Sequence, residues 1–253
     1  MRTGETQMPV KSDSCNPKAN EAERLQKVYR QYLSNSYNSR WAEGNAGNAV
    51  MIEEQRKEQI RLLRAYDRLP NSGTRALDFG CGSGGSLEWL CKLGGVAANF
   101  HGVDIRPEPV NLATRRYPHL NFCRAGEGRL PFPDGFFDLI QMHLVLSSIL
   151  DTHMRTQVCS ELNRILRGGA AILIYDFRVN NPGNPNVRGV KRREVLALFP
   201  KYQFDFRSLT VVPPLSRRLG GFCSVLYPAL KLFPFLRTHN MGLGIKMKSE
   251  ETA

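Results

Sequence analysis

The sequence predicts an α/β protein with a doubly wound, mostly parallel sheet of seven strands. Three observations lead to this fold class. Short apolar runs alternate with helical stretches between residues 75 and 177, a glycine-rich turn follows the first run, and two further apolar runs lie near the end of the chain. Alternating strands and helices are typical of a parallel sheet with helices on both faces.

The elements follow from apolar periodicity and turn residues. Strands are predicted over 75–79, 98–103, 120–124, 136–142, 170–177, 204–212 and 239–247. Helices are predicted between them over 84–93, 107–116 and 152–166, and before them over 20–33 and 48–69. The 253 residues suit one large domain over 20–253, preceded by a disordered tail. Within it we expect a helical cap over 20–70, a core over 75–177 and a basic region over 178–253.

Charge and cysteine usage limit the classes of partner and compartment. The net charge is +12, and residues 178–253 carry 13 basic and 4 acidic side chains. Such a basic region suggests an anionic partner, which could be nucleic acid, a phosphorylated substrate or a membrane surface. The six cysteines form no C-x-x-C pair, so neither a metal site nor a disulfide framework is predicted. We expect a cytoplasmic protein with reduced thiols.

The glycine-rich stretch LDFGCGSGGSLEWL, residues 77–90, admits two interpretations. Gly80, Gly82 and Gly85 match the G-x-G-x-x-G pattern of dinucleotide sites, whereas Asp78 with the alternate glycines matches D-x-G-x-G-x-G. A carboxylate beside the ligand disfavours a pyrophosphate and favours S-adenosylmethionine (SAM), which carries a sulfonium and an ammonium group. The alternative role for Asp78 is a turn former that bonds its own backbone.

A second acidic residue follows at the end of the next predicted strand. Asp104, in HGVDIRPEPV, has the spacing of an acid that binds ribose hydroxyls, an interaction shared by NAD and SAM. Its alternative role is to cap the helix that begins near Pro107.

Four motifs in order make the middle of the chain resemble class I SAM-dependent methyltransferases, which have a Rossmann-like sheet and an antiparallel last strand. They are LDFGCGSGG, GVDI, LPFPDGFFDLIQMHLVLSSI and LRGGAAILIYDF, and together they cover about 75–177. The resemblance implies that the chain is an enzyme, that SAM is its cofactor, and that the following residues hold it: Asp78, Gly80, Cys81, Gly82, Gly84, Asp104, Ile105 and Gln141. Relatives often have an acid where Gly126 stands, so Glu127 beside it is a substitute candidate for the adenine.

Candidate catalytic residues lie where the fourth and fifth strands end. His143 could act as a general base near neutral pH, or cap a helix. Asp176 could deprotonate or bind a hydroxyl, and Arg178 could hold an anionic substrate, or the two could form an internal ion pair. Further substrate candidates are Arg188, in a basic run, and Tyr37, Arg40 and Trp41, in the loop between the first two helices.

The segment 213–237 mixes apolar and basic residues between the last two predicted strands. It could pack in the core, line the substrate pocket, or touch an anionic bilayer at the inner face of a membrane. The stretch 175–246, from YDFR through LRTHNMGLGIK, is also similar to methyltransferases encoded among bacterial cell-surface polysaccharide genes. That similarity implies a sugar or a lipid-linked sugar as acceptor.

The interpretation that follows is a methyltransferase that acts, on oxygen, on a small-molecule or glycan acceptor that could be lipid-linked. An RNA methyltransferase is the first alternative, but no RNA-binding module and no N-P-P-[YF]-like motif after the fourth strand supports it, so nucleic acid is not the expected partner. An NAD-dependent oxidoreductase and a non-catalytic SAM-binding protein are alternatives of other classes.

Overall fold

The structure is a computed structural model, and it describes residues 17–34, 44–125 and 128–248. Seven strands form one sheet: β1 Ala76–Phe79, β2 Phe100–Asp104, β3 Asn121–Arg124, β4 Phe137–His143, β5 Leu166–Phe177, β6 Tyr202–Val211 and β7 Arg237–Lys246. Eight α-helices accompany them in the described residues: α1 Pro17–Ser34, α2 Ala46–Ala65, α3 Gly85–Cys91, α4 Pro107–Arg116, α5 Thr152–Ile165, α6 Arg192–Leu198, α7 Pro213–Arg218 and α8 Cys223–Leu230.

The strands are ordered β3-β2-β1-β4-β5-β7-β6 across the sheet. The first five pair in parallel, whereas β7 runs antiparallel to both β5 and β6. The predicted fold class is therefore confirmed, including the antiparallel last strand. Because β6 runs parallel to β5, the carboxyl end of β6 lies at the same end of the sheet as the carboxyl ends of β1, β2, β4 and β5.

The central strands read as continuous apolar runs because both of their faces are buried. Successive side chains on a strand point to opposite faces. Leu77 and Ile172 pack in one hydrophobic cluster, and their chain neighbours Ala76 and Leu173 pack in another on the opposite face. The sheet is thus enclosed by two hydrophobic cores, one on each face.

Several boundaries differ from the predictions by a few residues, and two of these differences have a local reason. Strand β5 begins at Leu166 and not at residue 170, because α5 ends there and Leu166 already pairs with Phe137 in β4. Strand β2 begins at Phe100 because a single 3-10 turn occupies Ala97–Asn99.

The connection between β6 and β7 folds into α7 and α8 against α2. Met51 of α2, Val211, Cys223 and Tyr227 form a third buried cluster there. This connection is rich in apolar residues. In the described part of the chain, no helix is both long and apolar enough to cross a membrane.

Candidate active site

The glycine loop connects β1 to α3 and has a left-handed backbone at alternate positions. Gly80, Gly82 and Gly84 have φ angles of 79°, 52° and 83°, a region that glycine enters without steric cost. At Gly80 a side chain would also collide, since a Cβ there would lie 2.5 Å from Val145 Cγ2. At Gly82 a Cβ would meet only Arg106 Nη2, at 3.9 Å. The space above Gly82 is therefore open to a ligand.

Asp78 places a carboxylate beneath this loop. The side chain is 1% exposed, and its Oδ2 has no hydrogen-bond partner in the described part of the chain. Burial raises the pKa of Asp78 to about 7, the neighbouring Asp104 carboxylate adds to the rise, and the side chain of Gln141 opposes it. A buried anion without a partner costs free energy unless a cation joins it, so this position suits a positively charged ligand group.

Asp104 ends β2 beside the loop, and both of its oxygens are engaged. Gly82 N donates to Oδ2 at 3.0 Å, while the Nε and Nη2 atoms of Arg106 donate to Oδ1 and Oδ2 at 2.9 Å each. The Arg106 guanidinium also lies 4.0 Å from the centre of the Tyr29 ring. The carboxylate predicted to bind a ribose thus already carries a bidentate partner.

A cavity of about 890 Å³ lies above the loop, at the edge where the parallel strands end. Of the predicted site residues, Gly80, Asp104, Ile105 and His143 line it. Its remaining wall contains an ion-paired group, Arg129, Asp134, Glu161 and Arg164. The rest of the wall is mostly apolar and includes Ala22, Leu25, Phe79, Val103, Ala125, Leu130, Leu144, Val145, Ile149, Met154 and Val158. A volume of this size is typical of small-molecule sites.

Helix α1 forms one wall of the cavity, and its side chains hydrogen-bond to the segment after β4 and to Asn184. Arg24 Nη2 donates to Ser148 O at 2.6 Å, and Glu21 Oε1 accepts from Leu150 N at 2.6 Å. The hydroxyl of Tyr29 lies 3.1 Å from Ser148 Oγ. Three side chains of one helix therefore attach it to the loop after β4.

His143 ends β4 and faces the cavity. Its Nδ1 lies 3.0 Å from Ser86 Oγ and 3.3 Å from Gln55 Nε2, whereas its Nε2 is buried without a partner among the described residues. Burial lowers the pKa of His143 to about 4. The imidazole is therefore neutral near pH 7.

A hydrogen-bond network connects this histidine to α2. Gln141 is fully buried, accepts from Gln59 Nε2 at 2.9 Å and donates to Ser86 Oγ at 3.2 Å. Ser86 in turn contacts His143. Gln55 and Gln59, one turn apart on α2, thus both reach the site, and neither they nor Ser86, Arg106 and Tyr29 were identified from sequence.

Asp176 is not brought to the cavity. Its two oxygens accept from Ser147 N at 3.0 Å and from Phe177 N at 2.8 Å, and burial raises its pKa to about 6. It lies within β5 and not beyond it, and alternation along the strand places it on the same face as Ile174. The described cavity wall contains His143 but not Asp176.

The remaining predicted residues are dispersed. Arg188 forms an ion pair with Glu194 at 2.5 Å, and the backbone N of Arg178 donates to Thr238 O at 2.9 Å; neither arginine lines the cavity. The buried Cys81 thiol donates to Gly82 O at 3.7 Å. Tyr37, Arg40, Trp41 and Glu127 lie outside the described residues, so their roles stay predictions. No group of three metal-ligating side chains occurs in the described ranges.

Comparison with known proteins identifies relatives of the chain. A family profile described as a methyltransferase domain matches residues 77–174. The chain is 32% identical over 179 residues to a 2-phytyl-1,4-naphtoquinone methyltransferase of Nostoc punctiforme, a match that covers 62% of this chain and 76% of that protein. It is 29% identical over 157 residues to a phthiotriol/phenolphthiotriol dimycocerosates methyltransferase of Mycobacterium ulcerans, covering 57% of this chain and 56% of that protein.

Among solved structures, the fold is similar to that of geranyl diphosphate C-methyltransferase from Streptomyces coelicolor. The TM-score is 0.57 at 16% sequence identity, and the alignment covers 78% of this chain and 80% of the other. That structure holds S-adenosyl-L-homocysteine together with Mg²⁺ and geranyl diphosphate. At this identity the similarity bears on the fold alone.

Three features define an enzyme that binds a nucleoside-type cofactor at the carboxyl ends of the strands: the order of the strands, the glycine loop over a buried carboxylate, and the cavity above that loop. With the sequence matches, the chain belongs to the class I SAM-dependent methyltransferases. Its cofactor is SAM, and the oxidoreductase alternative is set aside. The residues present fit that cofactor, because the unpartnered Asp78 oxygen and the open space over Gly82 suit a cationic ligand.

Proposed function

We propose that this enzyme methylates a small lipid-type acceptor with an apolar body and one ionisable hydroxyl. The observation that carries the proposal is the set of apolar side chains in the wall of the 890 Å³ cavity together with His143, which lines the same cavity and whose Nε2 has no partner among the described residues. An apolar chain gains free energy by leaving water for such a wall. The names of the two sequence relatives, a phytyl naphtoquinone and a dimycocerosate methyltransferase, support an acceptor of this class.

The chain's own residues divide the cofactor site between them. We assign Asp78 to the ammonium group, Asp104 to the ribose hydroxyls and Ile105 to the adenine face, with Gly80, Gly82 and Gly84 leaving room for close backbone approach. When bound, SAM supplies an electrophilic methyl group. Arg106 must share or release Asp104 for the ribose to bind there, because it already occupies both oxygens.

We assign His143 the role of proton acceptor. With hydrogen on Nδ1, the ring donates to Ser86 Oγ, and Nε2 is left to take the proton of an acceptor hydroxyl. Its lowered pKa keeps it unprotonated across the physiological range. Ser86 accepts from the ring on the side away from the acceptor and is a positioning residue, and the side-chain amide of Gln55 lies beside the same Nδ1.

Loss of a phenolic proton makes both the oxygen and the neighbouring ring carbon nucleophilic. We propose oxygen as the methylated atom, since it is the atom that the histidine would deprotonate. We propose no role in proton transfer for Asp176, because both of its oxygens accept backbone hydrogen bonds away from the cavity. Instead it positions the loop at Ser147.

The proposal is tested by supplying methyl-labelled SAM with three acceptors: a prenylated hydroquinone, a lipid-linked sugar and a bulk RNA. We expect label in the hydroquinone alone, and cleavage of methyl ethers should release it. Label that survives ether cleavage would move the methyl group to carbon. Label in the sugar or in RNA would replace the lipid-type acceptor with the glycan or RNA alternative.

A further inference from the structure

The most exposed large apolar side chains of the described residues cluster in one segment. Phe222, Val225, Leu232 and Phe235 are each at least 75% exposed, whereas large apolar side chains elsewhere are at most 48% exposed. We call these four residues the apolar ridge. They lie on and around α8, in the connection between β6 and β7.

The apolar ridge is presented by a firmly packed support. On the other side of the same segment, Cys223 and Tyr227 are buried with Met51 and Val211. The Tyr227 hydroxyl donates to Glu54 at 2.6 Å and accepts from Val211 N at 3.1 Å. The segment thus has its own core, and the ridge residues contribute nothing to it. Side chains this apolar and this exposed are typical of an interaction surface.

The charge around the ridge selects the partner. Residues 213–237 include four basic side chains and no Asp or Glu. Arg218 is exposed at the end of α7, whereas Lys231 is paired with Glu54 of α2. Two copies of this surface facing each other about a two-fold axis would bring like charges together, which is unfavourable. Anionic lipid headgroups are complementary to it.

The segment that carries the ridge is connected to the active site through α2, although none of its described residues lines the cavity. Strand β6 ends at the same end of the sheet as β1, β2 and β4, so α7 begins at the end of the sheet that carries the cavity. Helix α2 contacts both the ridge segment and the active site. Its Glu54 accepts from the Tyr227 hydroxyl and pairs with Lys231 Nζ at 2.9 Å. The next residue, Gln55, contacts His143.

We propose that the apolar ridge inserts into the interface of an anionic lipid bilayer, from which the enzyme takes its acceptor. Apolar side chains flanked by basic ones bind such surfaces by burying area and by attraction to anionic headgroups. This inference rests on the proposed lipid-type acceptor and adds where that acceptor is drawn from.

The test is sedimentation of the full chain with vesicles. Vesicles of phosphatidylcholine alone are compared with vesicles containing about one third phosphatidylglycerol. We expect binding to the anionic vesicles, a loss of about tenfold with Arg218→Glu, and a loss at least as large with the double variant Phe222→Ser, Phe235→Ser. The matched control is Val96→Ser, Leu112→Ser, two side chains 45% exposed outside the segment, which should bind as the unchanged protein does.

Two outcomes would overturn the inference. One is equal binding by the ridge and control variants. The other is a concentration-dependent dimer in sedimentation velocity that Phe222→Ser, Phe235→Ser abolishes, which would assign the ridge to a second copy. Methyl transfer to a detergent-dispersed hydroquinone separates this inference from the proposed function. Transfer without vesicle binding would refute the membrane-binding ridge and leave the lipid-type acceptor in place. Vesicle binding without transfer would refute the lipid-type acceptor and leave the membrane-binding ridge in place.

Discussion

Replacing Asp78 with Asn should stabilise the protein and weaken cofactor binding at the same time. Burial raises the pKa of Asp78 from 3.8 to about 7. In the unfolded chain the carboxyl ionises near 3.8, so the folded state binds the extra proton between these two pH values. The folded state therefore loses stability as pH rises from about 4 to about 7, and above pH 7 the full cost is present.

The size of that cost follows from the shift. Each pKa unit corresponds to about 1.4 kcal/mol, so an ionised Asp78 costs the ligand-free protein on the order of 4 kcal/mol at pH 8. Asn keeps the shape without the charge. We expect Asp78→Asn to raise the free energy of unfolding at pH 8 by up to that amount and to leave it nearly unchanged at pH 4.

Cofactor binding should respond in the opposite direction. Loss of a charge-assisted contact of about 2 kcal/mol weakens SAM binding about thirtyfold. The unchanged protein should itself bind SAM less tightly as pH falls below 7, because Asp78 is then protonated, and the loss should level off near the same thirtyfold.

The assay is urea unfolding at pH 4 and pH 8, with and without SAM. The control is Asp67→Asn, the same substitution at an exposed carboxylate, which should change stability by less than about 0.5 kcal/mol. A variant less stable than the unchanged protein at pH 8, or one that SAM stabilises equally, would refute the assignment of Asp78 to the cationic part of the cofactor.

Two further predictions concern Arg106 and His143. Arg106→Ala removes the bidentate partner of the Asp104 carboxylate, which is 4% exposed, so it should lower the free energy of unfolding by about 3 kcal/mol. Calorimetry should show SAM binding about tenfold more tightly, because no guanidinium then competes with the ribose for Asp104. Weaker binding would mean that Arg106 itself contacts the ligand. His143→Asn should lower kcat by about 10²-fold or more and leave the Kd for SAM unchanged. In the unchanged enzyme, protonation of His143 should not lower the rate above about pH 5. An equal loss in SAM affinity would contradict the proton-acceptor role.

The parts of the site that could be predicted from sequence are those held in one short segment. Asp78 and the glycine loop follow a strand directly, and Asp104 ends the next one, so spacing along the chain places them. Gln59 could not be found this way, because it meets Gln141 across 82 positions and belongs to a helix outside every motif. Only packing of α2 onto the sheet reveals that contact.

Arg106 and Asp176 illustrate two further limits. Arg106 stands two residues from Asp104 and looks like an ordinary helix-start residue, yet its side chain folds back onto the carboxylate. Asp176 lies inside β5 and not just past it, and strand alternation decides its face, so its neighbour Tyr175 is the residue that contacts His143. The sequence does not predict helices α7 and α8, because α7 has only six residues and Pro228 lies inside α8.

The attachment of α1 has a kinetic consequence. Arg24, Glu21 and Tyr29 hold this helix to residues 148–150, and the same helix walls the cavity. Any ligand under α1 leaves either past this wall or after these bonds break. If α1 has to move before spent cofactor can leave, the dwell time of that product depends on the strength of these side-chain attachments.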